Sequence, residues 1–522
     1  MKRIIYCIVS VLTFAVIGDV ASYAQKASGT DTLVPGMTLN DSKEISFKET
    51  ARAMYEKSVT MDLTDVWGFS FNLEIPSDIP VIAASLYLKS VRGDESGWYK
   101  YSLDIDGPDG LTAIDAKHPS TTEGSPAGFD AIVAIRIRFR IADASKGHPF
   151  IIGIKNLGLE PTKPETAQRF TPERNALALS VPSRAGERRL AWSASPKDSK
   201  FDWDAFVGHA AAVGITDLIP NLSNNYRAFY PSKYLPYKED DCEHLDKYIA
   251  ACHKYGIKAH VWKVQWRCRN FKTIDADPIL SKWREEGRFG VTYSGSKFEE
   301  SPWLCPSDDR NFKLEYDAMV ELASKGVDGI NFDYIRHQGR SSCYCDRCRK
   351  KFEKQLGRKV ENWPEDCYNE NGPLAKEWDD FRASQISRLV EAVSKYVRKH
   401  YPKVEVSASI QSYPACTAAA QRWEEWCLNG WVDFVCPMDY SQSVREFEAK
   451  LPLQKKICDK SGVGVYPGIG IHSSRSLLDA LDCARQIEVV REAGFPGYSF
   501  FSIKEKTFPV FDVLAKGPMG KK

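Results

Sequence analysis

The chain has 522 residues, 43% of them hydrophobic and 27% charged, enough for two or three domains with sizeable cores. Its formal net charge is +2 and no long basic run occurs, which argues against nucleic acid or an anionic membrane surface as partner. Aromatic residues are plentiful, with 13 Trp and 23 Tyr; flat rings stack on sugar faces, and they also fill ordinary cores.

Residues 1–24 read as a cleaved signal peptide. Lys2 and Arg3 form a positive start, Ile4 to Val16 an apolar run too short for a membrane span, and Ser22-Tyr23-Ala24 a small-x-small cleavage site. A periplasmic or secreted protein is expected, with no membrane span further on. Residues 25–45 are polar and read as a mobile leader. From 46 to 160 strand-like runs alternate with turn chemistry such as Gly107-Pro108-Asp109-Gly110. Within them Ala134 to Arg140 alternates strictly, which buries one face and leaves the other basic. This is an all-β sandwich, jelly-roll-like. Its pattern resembles the galactose-binding-like modules of exported glycosidases, without a diagnostic motif. Residues 161–187 carry Pro161, Pro164, Pro172 and Pro182 and read as a linker.

From Arg188 to about residue 516, strand runs alternate with amphipathic helices. The strands are RRLAWSA, ITDLIPN, KAHVWKVQW, GINFDYIRH, VEVSASIQ, DFVCPMDY, VGVYPGIGI and GYSFFSI. Gly214, Gly256, Gly326 and Gly494 each stand between a helical pattern and an apolar residue, as left-handed caps do. Eight β–α repeats make an α/β fold, a (β/α)8 TIM barrel at 188–516. An open doubly wound sheet is the alternative, and no GxGxxG follows its first strand.

Barrel chemistry sits at the carboxyl ends of strands. There the sequence places Trp192, Asn221, Trp262, Gln265, Trp266, Arg267, Asn331, Asp333, Tyr334, Arg336, His337, Gln411, Asp439, Tyr440 and Tyr466. HxH, HExxH and GxSxG are absent, so metallohydrolase and serine-esterase readings lack their signatures. Asp333 and Asp439 remain as a carboxylate pair. Alone, each is an ordinary turn or capping residue. Together they fit glycoside hydrolysis, in which one carboxyl protonates the leaving oxygen while the other attacks or activates water. Arg336 is a suitable ionic partner for Asp333, which becomes the nucleophile or stabilising base. Asp439, between Met438 and Tyr440, is in a drier setting that suits the general acid. Trp266 and Tyr440 are the preferred sugar platforms, and Gln265, Gln411, Asn221 and Asn331 are hydrogen-bonding candidates. Arg267, Arg336 and His337 either meet an acidic sugar or orient the carboxylates. Asp328 and Gly329 lie at the start of their strand and read as structural, Gly329 admitting a close neighbour.

GVDGINFDYIRH (Gly326 to His337), followed by VDFVCPMDY two strands later, resembles the glycosyl-hydrolase-like 10 family of TIM-barrel glycosidases. The Gly256 to Trp262 phrase resembles that family's entry into its third strand. The likeness spans about Arg188 to Phe511. It implies a barrel, a carbohydrate substrate, no cofactor, and acidic catalytic residues at Asp333 and Asp439. A more distant likeness is to glycoside hydrolase family 18, but Ile335 stands where that family's proton-donating Glu belongs. Rival expectations are a non-catalytic carbohydrate-binding barrel and a metal-dependent polysaccharide deacetylase. Cys343, Cys345 and Cys348, with Cys367 nearby, form either disulfides that fasten the loop after the fourth strand, the preferred reading for an exported chain, or a structural zinc site.

Overall fold

A computed structural model describes residues 31–47, 51–76, 78–103, 105, 111–141, 148–162 and 171–520. The expected signal peptide, the first residues of the leader, the turn at 107–110 and Pro164 lie outside these residues. Contacts divide the chain into two compact units. Of the described residues, one holds those up to 171 with 442–449 and 474–476, the other 172–441, 450–473 and 477–520.

Among the described residues the first unit contains ten strands: β1 (Asp31–Leu33), β2 (Thr38–Ile45), β3 (Arg52–Met61), β4 (Gly68–Glu74), β5 (Val81–Arg92), β6 (Glu95–Leu103), β7 (Leu111–Asp115), β8 (Thr121–Gly124), β9 (Ile132–Ile141) and β10 (Phe150–Glu160). They form a six-stranded sheet, β1-β3-β9-β5-β6-β8, and a four-stranded sheet, β2-β10-β4-β7. In β9 the alternation is realised: Ile135, Ile137, Phe139 and Ile141 are buried, while Arg136 and Arg138 lie over the rings of Trp98 and Tyr87. The leader reading needs correction, because residues 31–33 and 38–45 are strands. Leu33, Leu39 and Ile45 are buried, and the polar residues between them face outward. Such a stretch reads as loop because its apolar residues are sparse, yet pairing of β2 with β10 holds it extended.

The linker reading also changes. Pro172–Ser180 is a helix packed on the helix Ala480–Glu492, with Arg174 ion-paired to Asp479 and Asp482. Pro172 is its first residue, where a missing N–H costs nothing and the fixed φ favours a start.

The second unit is TIM-barrel-like. Its parallel strands are β11 (Arg188–Ser193), β12 (Asp217–Asn224, with the short β13, Arg227–Ala228, folded back on it), β14 (Lys258–Val264), then, after a hairpin of β15 (Phe289–Tyr293) and β16 (Phe298–Leu304), β17 (Gly329–Asp333), β18 (Glu405–Ile410), β19 (Phe434–Pro437), β20 (Gly464–Val465), β21 (Gly468–Gly470) and β22 (Gly497–Phe501). They pair in chain order. The seventh position is split: β20 pairs with β19 and β21 with β22. Between the halves, Pro467 has no N–H to donate, while its carbonyl accepts from Ser499 N at 3.0 Å. Gly214, Gly256, Gly326 and Gly494 have φ of +87°, +70°, +84° and +76°, as helix-ending glycines require.

At the amino ends of the strands lies an ion cluster. Arg188 Nε donates to Asp217 Oδ1 at 3.0 Å, and its Nη1 and Nη2 to Glu405 at 3.0 and 2.7 Å. His260 Nε2 is 3.0 Å from Asp217 Oδ1. Burial resists ionisation of Asp217, but hydrogen bonds from His260 and Arg188 outweigh it and hold the carboxyl well below its usual range. Gly329 makes room for this cluster, since a Cβ there would lie 2.0 Å from His260 Nδ1 and 3.1 Å from the Glu405 carbonyl. The Gly329→Ala variant is therefore expected to lose about 3 kcal/mol or more of stability in urea unfolding, beyond the ordinary cost of overpacking. An unchanged midpoint would show that the cluster can yield.

Candidate functional site

Asp333 ends β17 with Val264 as its cross-strand partner on β14. Both strands then turn through left-handed backbone, Tyr334 at φ +53° and Trp266 at φ +62°. Residues with side chains rarely adopt this conformation, which costs about 1–3 kcal/mol unless neighbours enforce it. Here they do. Gln265 N–H donates to the Asp333 carbonyl at 2.8 Å, and Trp266 N–H to Glu315 Oε1 at 2.8 Å. Glu315 is ion-paired with Lys263, Asn225 bonds both, and all three side chains are essentially unexposed.

The Asp333 carboxyl is buried, and burial is the largest influence on it. Tyr334 N–H (2.7 Å away), Arg336, Arg267 and Trp262 favour its charged form but do not fully compensate, so its pKa is pushed up to about 6. Around it stands a stack of rings and guanidinium groups. Arg267 Nη1 donates to Tyr334 Oη at 2.9 Å. Trp303 lies 5.3 Å from the Tyr334 ring, and Arg336 covers both rings at 5.4 and 4.9 Å. Gln265 Nε2 and Oε1, Arg336 Nε, His337 Nε2 and Ser193 Oγ are buried with no hydrogen-bond partner among the described residues. Each such atom costs free energy that a ligand's hydroxyls would recover.

Asp439 is held differently. Ser412 Oγ donates to one carboxylate oxygen, Gln454 Nε2 lies 2.9 and 3.0 Å from the two, and the Gly468 backbone N–H adds a further bond. Burial still raises its pKa above the usual carboxylate value.

The other expected residues divide. Trp262, Gln265, Arg267, Tyr334, Arg336 and His337 gather near Asp333. Tyr440 is half-buried and stacked on Phe501 at 4.9 Å, and Gln411 is half-buried with its N–H bonded to Gln421 Oε1. Five expected residues do not stand as sugar contacts. Trp266 is 0% exposed, so it offers no platform. Trp192 and Tyr466 belong to a core cluster with Leu190, Ile219, Phe434 and Cys436. Asn331 is satisfied by Ser407 and Ser409 at 2.9 and 2.8 Å, because inward positions on β17 and β18 face each other. Asn221 accepts from Ser195 and Asn224 at 2.9 and 3.2 Å. His337 is kept neutral, its pKa well below the usual histidine value through burial and then Arg382, so it is a poor receptor for an anionic sugar. Asp328 is structural as expected, accepting from Ala259 N at 2.8 Å.

The hairpin Phe289–Leu304 and its Trp303 were missed. Its signal was legible in period-two alternation around Ser294-Gly295, where Gly295 takes φ +93°. The hairpin bonds on one side to residues 266–268 and on the other to residues 341–344, so it spans the two loops beside Asp333.

Among the described residues, two side-chain groups have metal-like composition. In Asp217, His260 and Glu405 the Arg188 guanidinium already takes the cation's place. The other is Cys305, Cys343, Cys345 and Cys348, which corrects the expected grouping: Cys367 is not in it, and no cysteine among the described residues forms a disulfide.

The sequence profile of the family described as Glycosyl hydrolase-like 10 matches residues 198–473. The chain is 30% identical over 182 residues to an S-layer-related protein of Niallia circulans, covering 32% of this chain and 10% of that protein, so it spans about a tenth of that relative's length. Among solved structures, the glycoside hydrolase domain of PgaB (BpsB) from Bordetella bronchiseptica aligns with a TM-score of 0.50 at 12% identity, over 64% of this chain and 99% of that one. The catalytic domain of beta-amylase from Paenibacillus polymyxa aligns at 0.45 and 12%, over 64% and 99%. At 12% identity the likeness to the first of these speaks for the fold alone.

Lys263→Met should strand the Glu315 charge and cost about 3–5 kcal/mol in urea unfolding. Adding Glu315→Gln should restore at least half of that. A single-variant loss under about 1 kcal/mol would mean that the ion pair does not brace the turn.

Proposed function

The chain belongs to the Glycosyl hydrolase-like 10 family, and on that premise we propose that it is a glycosidase acting on a poly- or oligosaccharide with Asp333 as its proton donor. The observation that carries this is a buried carboxyl with a pKa of about 6 beside unsatisfied polar atoms at a strand's carboxyl end. A general acid must be protonated near its working pH and dry enough to transfer the proton to a leaving oxygen. This reverses the roles expected from sequence. Asp333, despite its guanidinium neighbours, is the acid, and Asp439 is the carboxylate held ready by Ser412, Gln454 and Gly468. The pair would sit about 5–5.5 Å apart for retention or about 6.5–9.5 Å for inversion. Arg267 and Arg336 orient Asp333, and Trp303 and Tyr334 supply ring faces for sugar. We further read the parallel sheet as a complete (β/α)8 barrel over 188–516 and residues 46–160 as a jelly-roll-like carbohydrate module. Export after cleavage near Ala24 fits the surface-layer name of the relative.

A second reading, a carbohydrate-binding barrel without turnover, is favoured by one observation: the oxygens of Asp439 are already engaged. A panel of glycans separates the two, since hydrolysis by the full chain excludes the second, and saturable binding without product excludes the first.

Asp333→Asn should lower turnover about 10²–10⁴-fold and remove a descending limb near pH 6 from the wild-type profile. Stability offers an independent check. The folded pKa, about 6, lies above the unfolded value of 3.8, so the native state holds the extra proton between them. The resulting stabilisation is full below pH 3.8 and is lost as pH rises through 6. At pH 8 the Asn variant should therefore be more stable than wild type, by up to about 3 kcal/mol, and the gain should vanish at pH 4. A variant destabilised at pH 8 would make Asp333 a structural cap.

A further inference from the structure

Cys305 follows β16, while Cys343, Cys345 and Cys348 lie in the loop after β17 and the helix Asp346–Leu356. The four are at least nine-tenths buried. Cys305 Sγ is 3.6 Å from Cys345 Sγ, 3.4 Å from Cys348 Sγ and 3.9 Å from Cys343 Sγ, and all four sulfurs lie within 4.8 Å of one another. A disulfide would bring two sulfurs to about 2.0 Å and leave the others aside. Four sulfurs about 2.3 Å from one central ion, at the corners of a tetrahedron, lie about 3.8 Å apart. The observed spacing is that of a tetrathiolate ligand set.

The surroundings are those of a built site. Val291 N–H points to Cys343 Sγ at 3.3 Å, and Gly290 is tolerated closely, since a Cβ there would lie 3.1 Å from that sulfur. Cys345 occupies the N-cap of its helix and places Cys348 in the first turn. Asn311 bonds the Cys305 carbonyl at 3.0 Å and fixes that ligand's backbone. Arg347 lies close to Cys305 and Cys345, where it offsets the negative charge of four thiolates around a dication. Tyr293, Tyr344, Phe352, Trp378 and Phe381 pack in the same cluster and exclude water.

We propose that Cys305, Cys343, Cys345 and Cys348 hold one structural zinc ion. The ion joins the hairpin Phe289–Leu304 to the loop after β17. It thereby holds Trp303 against Tyr334 and Arg336 beside the candidate acid. It takes no part in glycoside chemistry, so the proposal stands or falls apart from the glycosidase reading. A closed thiolate set suits zinc, with iron as the chemical competitor.

Elemental analysis of the purified full-length chain should find one zinc per chain, and X-ray absorption should find four sulfurs at about 2.3 Å. Cys305→Ser and Cys348→Ser should each lose the metal, while Cys367→Ser and Cys416→Ser keep it. If the first two variants do not fold, absorption on the wild type decides alone. A strong chelator should lower the melting temperature of the wild type. Metal-free native protein, disulfides among these four in intact-mass analysis, or one iron with a thiolate charge-transfer band would each overturn the assignment.

Discussion

The Arg188 cluster at the base of the barrel is the constraint on which the rest depends. One guanidinium ties the first strand to the second and fifth, and His260 brings in the third. Gly329 admits that histidine from the fourth. A buried charge tolerates little displacement, because any shift strands it without a partner. The cluster therefore sets strand register. Register in turn decides which residue of β17 reaches the mouth, since a one-residue slip reverses every side chain. Gly329 at the base and Asp333 at the top are the two ends of one five-residue strand.

The two ends are polar in opposite senses. At the base, carboxylates, imidazole and guanidinium satisfy one another, and Asp217 stays ionised far below its usual range. At the mouth, the amide of Gln265 and the hydroxyl of Ser193 have no partner among the described residues, and burial drives the Asp333 carboxyl toward its neutral form. Left-handed backbone at Trp266 and Tyr334 adds strain at the same place. A site that holds unmet polar groups and strain is stable only if its surroundings over-determine it. The Lys263–Glu315 pair below and the hairpin above supply that enforcement. The four thiols extend it, since they join the hairpin to the loop that carries Tyr334, Arg336 and His337.

Much of this was legible because it rests on local chemistry. Helices such as Trp203–Ala212 and Ala480–Glu492 announce themselves by period and by the caps Asp202 and Asp479, and Ala375–His400 by period. The alternation of β9 and the structural parts of Asp328 and Gly329 followed from pattern and position. What failed did so for one kind of reason. Trp266 and Tyr440 looked equivalent at strand ends, yet the first is buried through a backbone turn and the second lies half-buried against Phe501. Asn331 and Asn221 looked like sugar ligands until inward neighbours on adjacent strands satisfied them. Pro172 looked like linker until it began a helix.

By itself the sequence determined the order of the parallel strands and of the main helices between them, the two-part architecture and the residue types at each strand end. Those depend on periodicity, capping and turn preference within a few residues. The tertiary structure alone decided which polar groups found partners, how different hydrogen-bond partners set Asp439 apart from Asp333, and that Cys305, 38 residues before Cys343, completes the thiol set in place of nearby Cys367. Desolvation and hydrogen-bond satisfaction are properties of what surrounds an atom, and the surroundings come from distant parts of the chain.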